Sequence, residues 1–472
     1  MNDKHFHAAD CGEGRNSLTL GKLAEWSGGH SALPASARAA RVARVWNDSR
    51  KVTKGDVFVA IATGNDDGHR YVRAAFKNGA AAAIIGKKAI VDCEPADQKK
   101  LIAVDDPLGA VGRAAARYRK ELGILVIGIT GSSGKTTTRV FIASVLKQGF
   151  PIGETYTNWN NHIGVPLSLL RFTGCEWAGV IEMGANHENE ISNLSKIADP
   201  DIAVITNIGY SHVGLFGSLA ATTRAKFEIA DGLNKKDGFL LLNGDDARLA
   251  AEARRRGLKT VFFGLSGRCG VRPEKIAFDP NEGLSFSLDG SAFHLPVPGR
   301  HFLYSALPAI FLGRRCGIPD GKIARALAAV KPPALRGTVE KKRGASFIVD
   351  CYNANPSSMK CAIATLVEIA RPEQRVAIVG DMRELGKYSK KLHSELGAVL
   401  AKSKVDRIIA VGEYAGEVAG GAIKGGMPSS RIWKAGNAED AAAVARKVVA
   451  KHDVVLIKGS RGVRLETVLE KF

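Results

Sequence analysis

From Ile124 onward the chain alternates two textures. Unbroken apolar runs ("ILVIGIT", "WAGVIEM", "DIAVITNI", "GFLLLN", "TVFFG") are separated by stretches with apolar residues at helical spacing, such as 218–232 and 245–256. Runs with no alternating polar position suit strands buried on both faces, hence a parallel sheet covered by helices. Between 281 and 298, "SFSLDGSAFHLPVPG" predicts a β-hairpin. Two helices follow, and "VKPPALRG" at 330–337 carries the paired prolines of a linker. Beyond 345, "SFIVDCY", "RVAIVGD", "RIIAVG", "SRIWKAG" and "DVVLIKG" repeat the alternation and predict a separate Rossmann-like unit. Upstream, "VFVAIAT", "AAAAIIG" and "KLIAVDD" are shorter pieces set among Ala-rich stretches, which suits a small α/β domain.

The fold class expected is therefore α/β in three domains: a small N-terminal α/β domain (18–115), a central P-loop-type parallel-sheet domain (116–330) and a Rossmann-like C-terminal domain (331–472). Residues 1–17 are charged, lack an apolar segment and read as a disordered extension, not a signal peptide. No apolar run approaches the ~18–20 residues of a membrane span, so no insertion into a bilayer is expected. Seven scattered cysteines without a C-x-x-C pair favour reduced thiols in the cytoplasm. The formal charge of +20 points to polyanionic partners, either nucleic acid or nucleotides.

"GITGSSGKTTT" (128–138) separates these two. A strand, a small-residue turn and a helix N-terminus present backbone N–H groups to an anion. Gly131 and Gly134 let phosphate oxygens approach, Lys135 supplies a point charge, and the Thr136 hydroxyl suits Mg²⁺. Only Ser132 and Ser133 lie between the glycines, so Thr130–Thr137 is a shortened form of the usual phosphate loop. With ATP there, Mg²⁺ needs oxygen-rich neighbours from nearby strand ends. Glu182 closes "WAGVIEM", and His212 follows "DIAVITNIGYS". Lys226 shares a helical face with Leu219, Thr223 and Ala230, where a lysine is expected to snorkel to water.

Together these motifs resemble the Mur ligase family. "DSRKVTKGDVFVAIATGNDDGH" (48–69), "NWNNHIGVPLSLLR" (158–171), "IEMGANHENEI" (181–191), "TNIGYSHVGLFGSLAATTRAKFEIADGL" (206–233), "LRGTVE" (335–340), "DCYNANPSSM" (350–359), "VGDMRELGKYSKKLH" (379–393) and "KGSRGVRLE" (458–466) extend the resemblance over nearly the whole chain. It is strongest to the branch that adds D-alanyl-D-alanine to UDP-N-acetylmuramoyl-tripeptide through an acyl phosphate. That resemblance implies that Thr136 and Glu182 serve one Mg²⁺ and His212 a second, and that Lys226 is a lysine open to carbamylation. It implies that Arg336 and Asp350 contact ATP from the linker and third domain. Ser49 and Arg50 fall in the uridine-nucleotide region, and Asn160 and Asn161 in the loop facing the peptide. Where the family pattern has asparagines reaching adenine, this chain has Phe302 and Ser305 after His301, so Phe302 is expected to pack against the base.

Acyl phosphates hydrolyse, so a C-terminal domain swinging about 330–337 is expected to close over the activated carboxylate. The sister branch that adds the third amino acid is disfavoured, because its D-N-P-R box is missing. A nucleic-acid-stimulated ATPase would need clustered cations with interleaved aromatics, and only short runs such as "EARRRG" occur. A monomer is expected, with neither nucleic acid nor membrane as partner.

Overall fold

The structure, a computed structural model, describes residues 17–472; the rest of the expected 1–17 extension lies outside the described residues. The N-terminal domain holds β1 (His30–Ser31), β2 (Val45–Trp46), β3 (Val57–Val59), β4 (Ala82–Gly86) and β5 (Leu101–Val104), in the order β1-β5-β4-β3-β2. Only the β1–β5 pairing is antiparallel. The central sheet comprises β6 (Leu125–Thr130), β7 (Ile152–Glu154), β8 (Ala178–Glu182), β9 (Ile202–Ile205), β10 (Phe239–Asn243) and β11 (Thr260–Phe263). Its order is β11-β10-β9-β6-β8-β7, parallel throughout.

That order explains where chemistry can occur. From β6 the chain runs to β7 and β8 on one side and then crosses to β9 on the other, which opens a crevice at the carboxyl ends of β8, β6 and β9. The phosphate turn follows β6, Glu182 ends β8, and Thr206 and Asn207 follow β9.

The expected hairpin is part of a three-stranded antiparallel sheet, β12 (Glu274–Asp279), β13 (Gly283–Leu288) and β14 (Ser291–Leu295). Its turn is Asp289–Gly290, both at positive φ (48° and 82°), as the right-handed twist of a tight hairpin demands. The sequence reading misses β12 because "EKIAFD" carries three charges and only one face of it is covered.

The C-terminal sheet contains β15 (Thr338–Lys342), β16 (Ala345–Val349), β17 (Arg375–Gly380), β18 (Arg407–Val411), β19 (Ile432–Ala435) and β20 (Val454–Lys458). Its order is β15-β16-β20-β17-β18-β19, with β15 the antiparallel edge.

The division expected at 115/116 falls inside one helix, Pro107–Leu122, which Asp106 caps through Leu108 N and Gly109 N (both 3.0 Å). Its buried face joins N-terminal and central side chains in one apolar core. Tyr118 Oη donates to Phe172 O (2.6 Å), and Arg119 to Ala198 O (3.0 Å). The first two domains are thus welded. The 330/331 division directly follows the helix Asp320–Ala329. Among the described residues no helix is long and apolar enough to cross a membrane.

Candidate active site

The phosphate turn is rigid because neighbouring strand ends hold it. Ser132 N donates to Asn207 O (3.0 Å), Ser133 N to Asn207 Oδ1 (3.0 Å), and Thr206 Oγ1 to Ser133 O (2.5 Å). A Cβ at Gly131 (φ 143°) would lie 2.0 Å from Thr206 Oγ1, so only glycine fits. Gly134 (φ 79°) meets nothing; its conformation, not its space, calls for glycine at the start of the helix Lys135–Leu146. Lys135 Nζ donates back to Gly131 O (2.9 Å). Burial lowers the pKa of Lys135, with Glu182 opposing and Arg336 reinforcing the shift.

Beside this turn, Glu182 is almost fully buried. Its Oε1 accepts from Thr136 Oγ1 (3.2 Å) and Asn160 Nδ2 (2.8 Å), while Oε2 has no hydrogen-bond partner among the described residues. A buried carboxylate with one oxygen turned to a threonine hydroxyl fits a hard cation, while Oε2 is turned toward the Arg139 guanidinium (3.7 Å). The described residues contain no cluster of three or more His, Cys, Asp or Glu that could hold a metal by themselves. Phosphate oxygens would have to complete the shell, which is how Mg²⁺ is commonly bound.

His212 lines the same cleft, but its Nδ1 contacts the Glu384 carboxylate of the C-terminal domain. Lys226 does not snorkel: it is 1% exposed, with Nζ over the Phe216 ring at 5.1 Å. The residues buried with it on the helix Leu219–Phe227 include Thr222 and Ala225; Leu219 and Thr223 sit nearer solvent. Burial lowers its pKa to about 7, the Lys135 cation adds to the shift, and Glu228 and Glu190 oppose it.

The C-terminal domain forms the facing wall. Asn355 Nδ2 donates to Ser133 Oγ (2.8 Å), directly on the phosphate turn. Asn158 Nδ2 reaches Tyr352 Oη (3.3 Å), whose ring lies 4.1 Å below the Arg336 guanidinium. Asp350 Oδ2 accepts from the buried Lys458 Nζ (2.6 Å), leaving Oδ1 without a protein partner among the described residues. Val213 inserts into the C-terminal core, and a Cβ at Gly214 would lie 2.5 Å from Gly386 N.

The resulting cleft, about 580 Å³, is lined by Lys135, Thr136, Glu182, His212, Arg336 and Asp350, with Asn160 and Asn161 along one side. Ser49 and Arg50 lie elsewhere, on a 3₁₀ turn of the N-terminal domain, where Arg50 pairs with Asp48 (2.9 Å) in solvent. Phe302 also lines the cleft but is 2% exposed, anchored by Phe141 (6.2 Å) and by His301 (4.3 Å). Most of its ring is therefore core, not a free platform for a base. Ser305 Oγ is within 3.1 Å of Thr138 Oγ1. Sequence reasoning misses Thr206, Asn207 and Asn355, because their roles come from bonds across strands and domains that no local pattern encodes.

Family models for the Mur ligase catalytic, middle and glutamate ligase domains match residues 41–119, 129–313 and 336–461, most of the chain. The chain belongs to the Mur ligase family. This Mur ligase is 34% identical over 429 residues to the UDP-N-acetylmuramoyl-tripeptide--D-alanyl-D-alanine ligase of Bacillus subtilis (strain 168), covering 90% of this chain and 92% of that one. Among solved structures it is similar to MurF from Acinetobacter baumannii (TM-score 0.84, 30% identity, covering 96% of this chain and 98% of that one). It is also similar to the MurF ligase from Thermotoga maritima in complex with ADP (TM-score 0.78, 30% identity, 91% and 96% covered).

Proposed function

We propose that this Mur ligase uses ATP to join D-alanyl-D-alanine to UDP-N-acetylmuramoyl-tripeptide, forming the UDP-MurNAc-pentapeptide of peptidoglycan synthesis. One observation carries the reading: a phosphate turn, a hard-cation oxygen pair and Asp350 of the last domain meet in a single cleft, in a chain similar along its length to ligases of that name. The sister ligase and the nucleic-acid-stimulated ATPase have no comparable support.

A carboxylate does not accept an amine at neutral pH, because its oxygen is a poor leaving group. Transfer of the γ-phosphoryl of ATP to the tripeptide carboxylate oxygen, with departure of ADP, supplies a better one. The dipeptide amine then attacks the carbonyl carbon; phosphate leaves and the nitrogen loses a proton. Lys135 and the N-terminus of the helix Lys135–Leu146 face the charge that builds on the transferring group. Bound at Thr136 and Glu182, Mg²⁺ would neutralise phosphate charge. The C-terminal wall shields the activated carboxylate from water.

Asp350 Oδ1 is free to accept from a ribose hydroxyl, and Arg336 faces phosphate. Lys226, with a pKa near neutrality, carries a buried amine that in its uncharged form is able to add CO₂ as an N–C bond forms and a proton leaves. The resulting carbamate would convert a buried cation into an anion suited to a second Mg²⁺, a site His212 joins only by releasing Glu384. Ser49 and Arg50 receive the uridine nucleotide, and Asn160 and Asn161 face the peptide. The enzyme acts as a cytoplasmic monomer, where its nucleotide substrates are made.

Phosphate release from ATP tests the reading. Release that requires both UDP-MurNAc-tripeptide and D-Ala-D-Ala is expected; release with UDP-MurNAc-dipeptide and a free amino acid would move the assignment to the sister enzyme.

A further inference from the structure

Arg139 lies on the helix Lys135–Leu146, three residues beyond Thr136 and so on the same face. It is 8% exposed. Its Nη1 donates to Glu154 Oε2 (2.8 Å) and Thr155 O (3.2 Å), and its Nη2 to Thr157 O (3.4 Å). Its Nε faces Glu182 Oε2 at 3.7 Å, too far for a hydrogen bond, and neither atom has a hydrogen-bond partner among the described residues. The reaction described above leaves this buried cation unused.

The backbone it grips is strained. Thr157 sits at φ 49°, a left-handed conformation that a β-branched residue adopts only under constraint. On one side of it, Thr155 Oγ1 accepts from Glu182 N (2.7 Å). On the other, Trp159 packs edge-on against Trp46 of the N-terminal domain (5.6 Å), and Asn160 donates to Glu182. The turn thus touches Glu182 at its backbone and at its carboxylate, and Arg139 clamps its two carbonyls.

We infer that Arg139 is a positioning residue for the divalent-cation site: it holds the 155–160 turn in its strained form and stands against the outer oxygen of Glu182, so that this carboxylate is aimed before metal and nucleotide arrive. The inference rests on the reading that Thr136 and Glu182 hold Mg²⁺. Arginine is required because its planar fork reaches Glu154, two carbonyls and Glu182 at once, whereas a lysine ammonium is a single point.

The test is calorimetric titration of the full-length protein with ADP, in excess Mg²⁺ and in EDTA. The readout is the ratio of the two affinities. Arg139→Lys keeps the charge and removes the fork; the ratio is expected to fall about ten- to hundred-fold, the usual cost of losing an outer-shell partner, with the EDTA affinity unchanged. Adding Thr157→Gly to Arg139→Lys is expected to restore part of the ratio, because glycine adopts positive φ freely. No recovery overturns action through the turn. Wild-type protein whose ADP affinity ignores Mg²⁺ overturns the metal reading itself. A Mg²⁺-dependent wild type with an unchanged ratio in Arg139→Lys overturns the role of Arg139 alone. Should Arg139→Lys not fold, Glu154→Gln loosens the same clamp at its far end; a lowered ratio supports the inference and an unchanged one overturns it.

Discussion

The two ends of the cleft are built differently. The phosphate end is one continuous strand, turn and helix, braced by the adjacent β9 end through Thr206 and Asn207. The opposite end is composite: His301 and Ser305 come from the central domain, Asp350 and Lys458 from the C-terminal one. The first exists in a folded central domain by itself. The second exists only when two domains dock, at contacts such as Gly214 against Gly386 and Asn355 against Ser133. The cleft is thus divided between one local element of the central domain and an interface that needs both domains.

The largest effect is expected at the phosphate end. Lys135→Ala should reduce turnover at least ~10²–10³-fold, the scale of losing one charge-stabilising donor. The thermal transition should stay close to wild type, since among the described residues the side chain's one hydrogen bond is to Gly131 O. Steady-state phosphate release and a melting curve measure both; persistent turnover would mean the turn is not the cradle.

Gly214→Val attacks only the composite end. The added Cβ meets the backbone of residues 384–386 at 2.5–2.9 Å, and backbone cannot move aside as a side-chain tip can. Overpacking of ~1–3 kcal/mol corresponds to roughly 5–150-fold less of the docked form. ADP affinity should fall accordingly while tripolyphosphate affinity, which samples the phosphate end, is retained. Equal losses for the two ligands would erase the distinction between the ends.

A smaller effect follows from His301. Burial lowers its pKa to about 4, with Asp350 opposing and Lys458 reinforcing the shift, against 6.5 for an exposed imidazole. If docking against the C-terminal domain supplies that burial, the docked form excludes a proton that the undocked form accepts between these values. Docking is fully favoured above pH 6.5 and weakens as pH falls toward 4. ADP affinity should drop by at most about tenfold at pH 5.5 from this source, and His301→Gln should remove that part of the pH dependence.

Legibility in the sequence divides along the same line. The unbroken apolar runs announce β6, β8, β9 and β10, because a strand buried on both faces must be apolar at every position. The phosphate turn is readable because glycine spacing, lysine and threonine all lie within one short segment. Two-residue strands such as Val45–Trp46 leave no such trace, and neither does the charged β12. Lys226 shows the limit well. Its helical spacing suggests a solvated lysine, and only the packing of the ring of Phe216 and the proximity of Lys135 make it a buried amine near neutrality.

By itself, then, the amino-acid order determined the three-domain α/β architecture, the phosphate cradle and the strand ends that flank it, since local propensity and periodicity act over a few residues. Tertiary structure alone decided that the first two domains share a core, that His212 meets Glu384, that Asp350 is held by Lys458 and that Arg139 clamps a strained turn. Those contacts join residues far apart in the chain, and their existence depends on which surfaces the packed sheets bring within a few ångströms of each other.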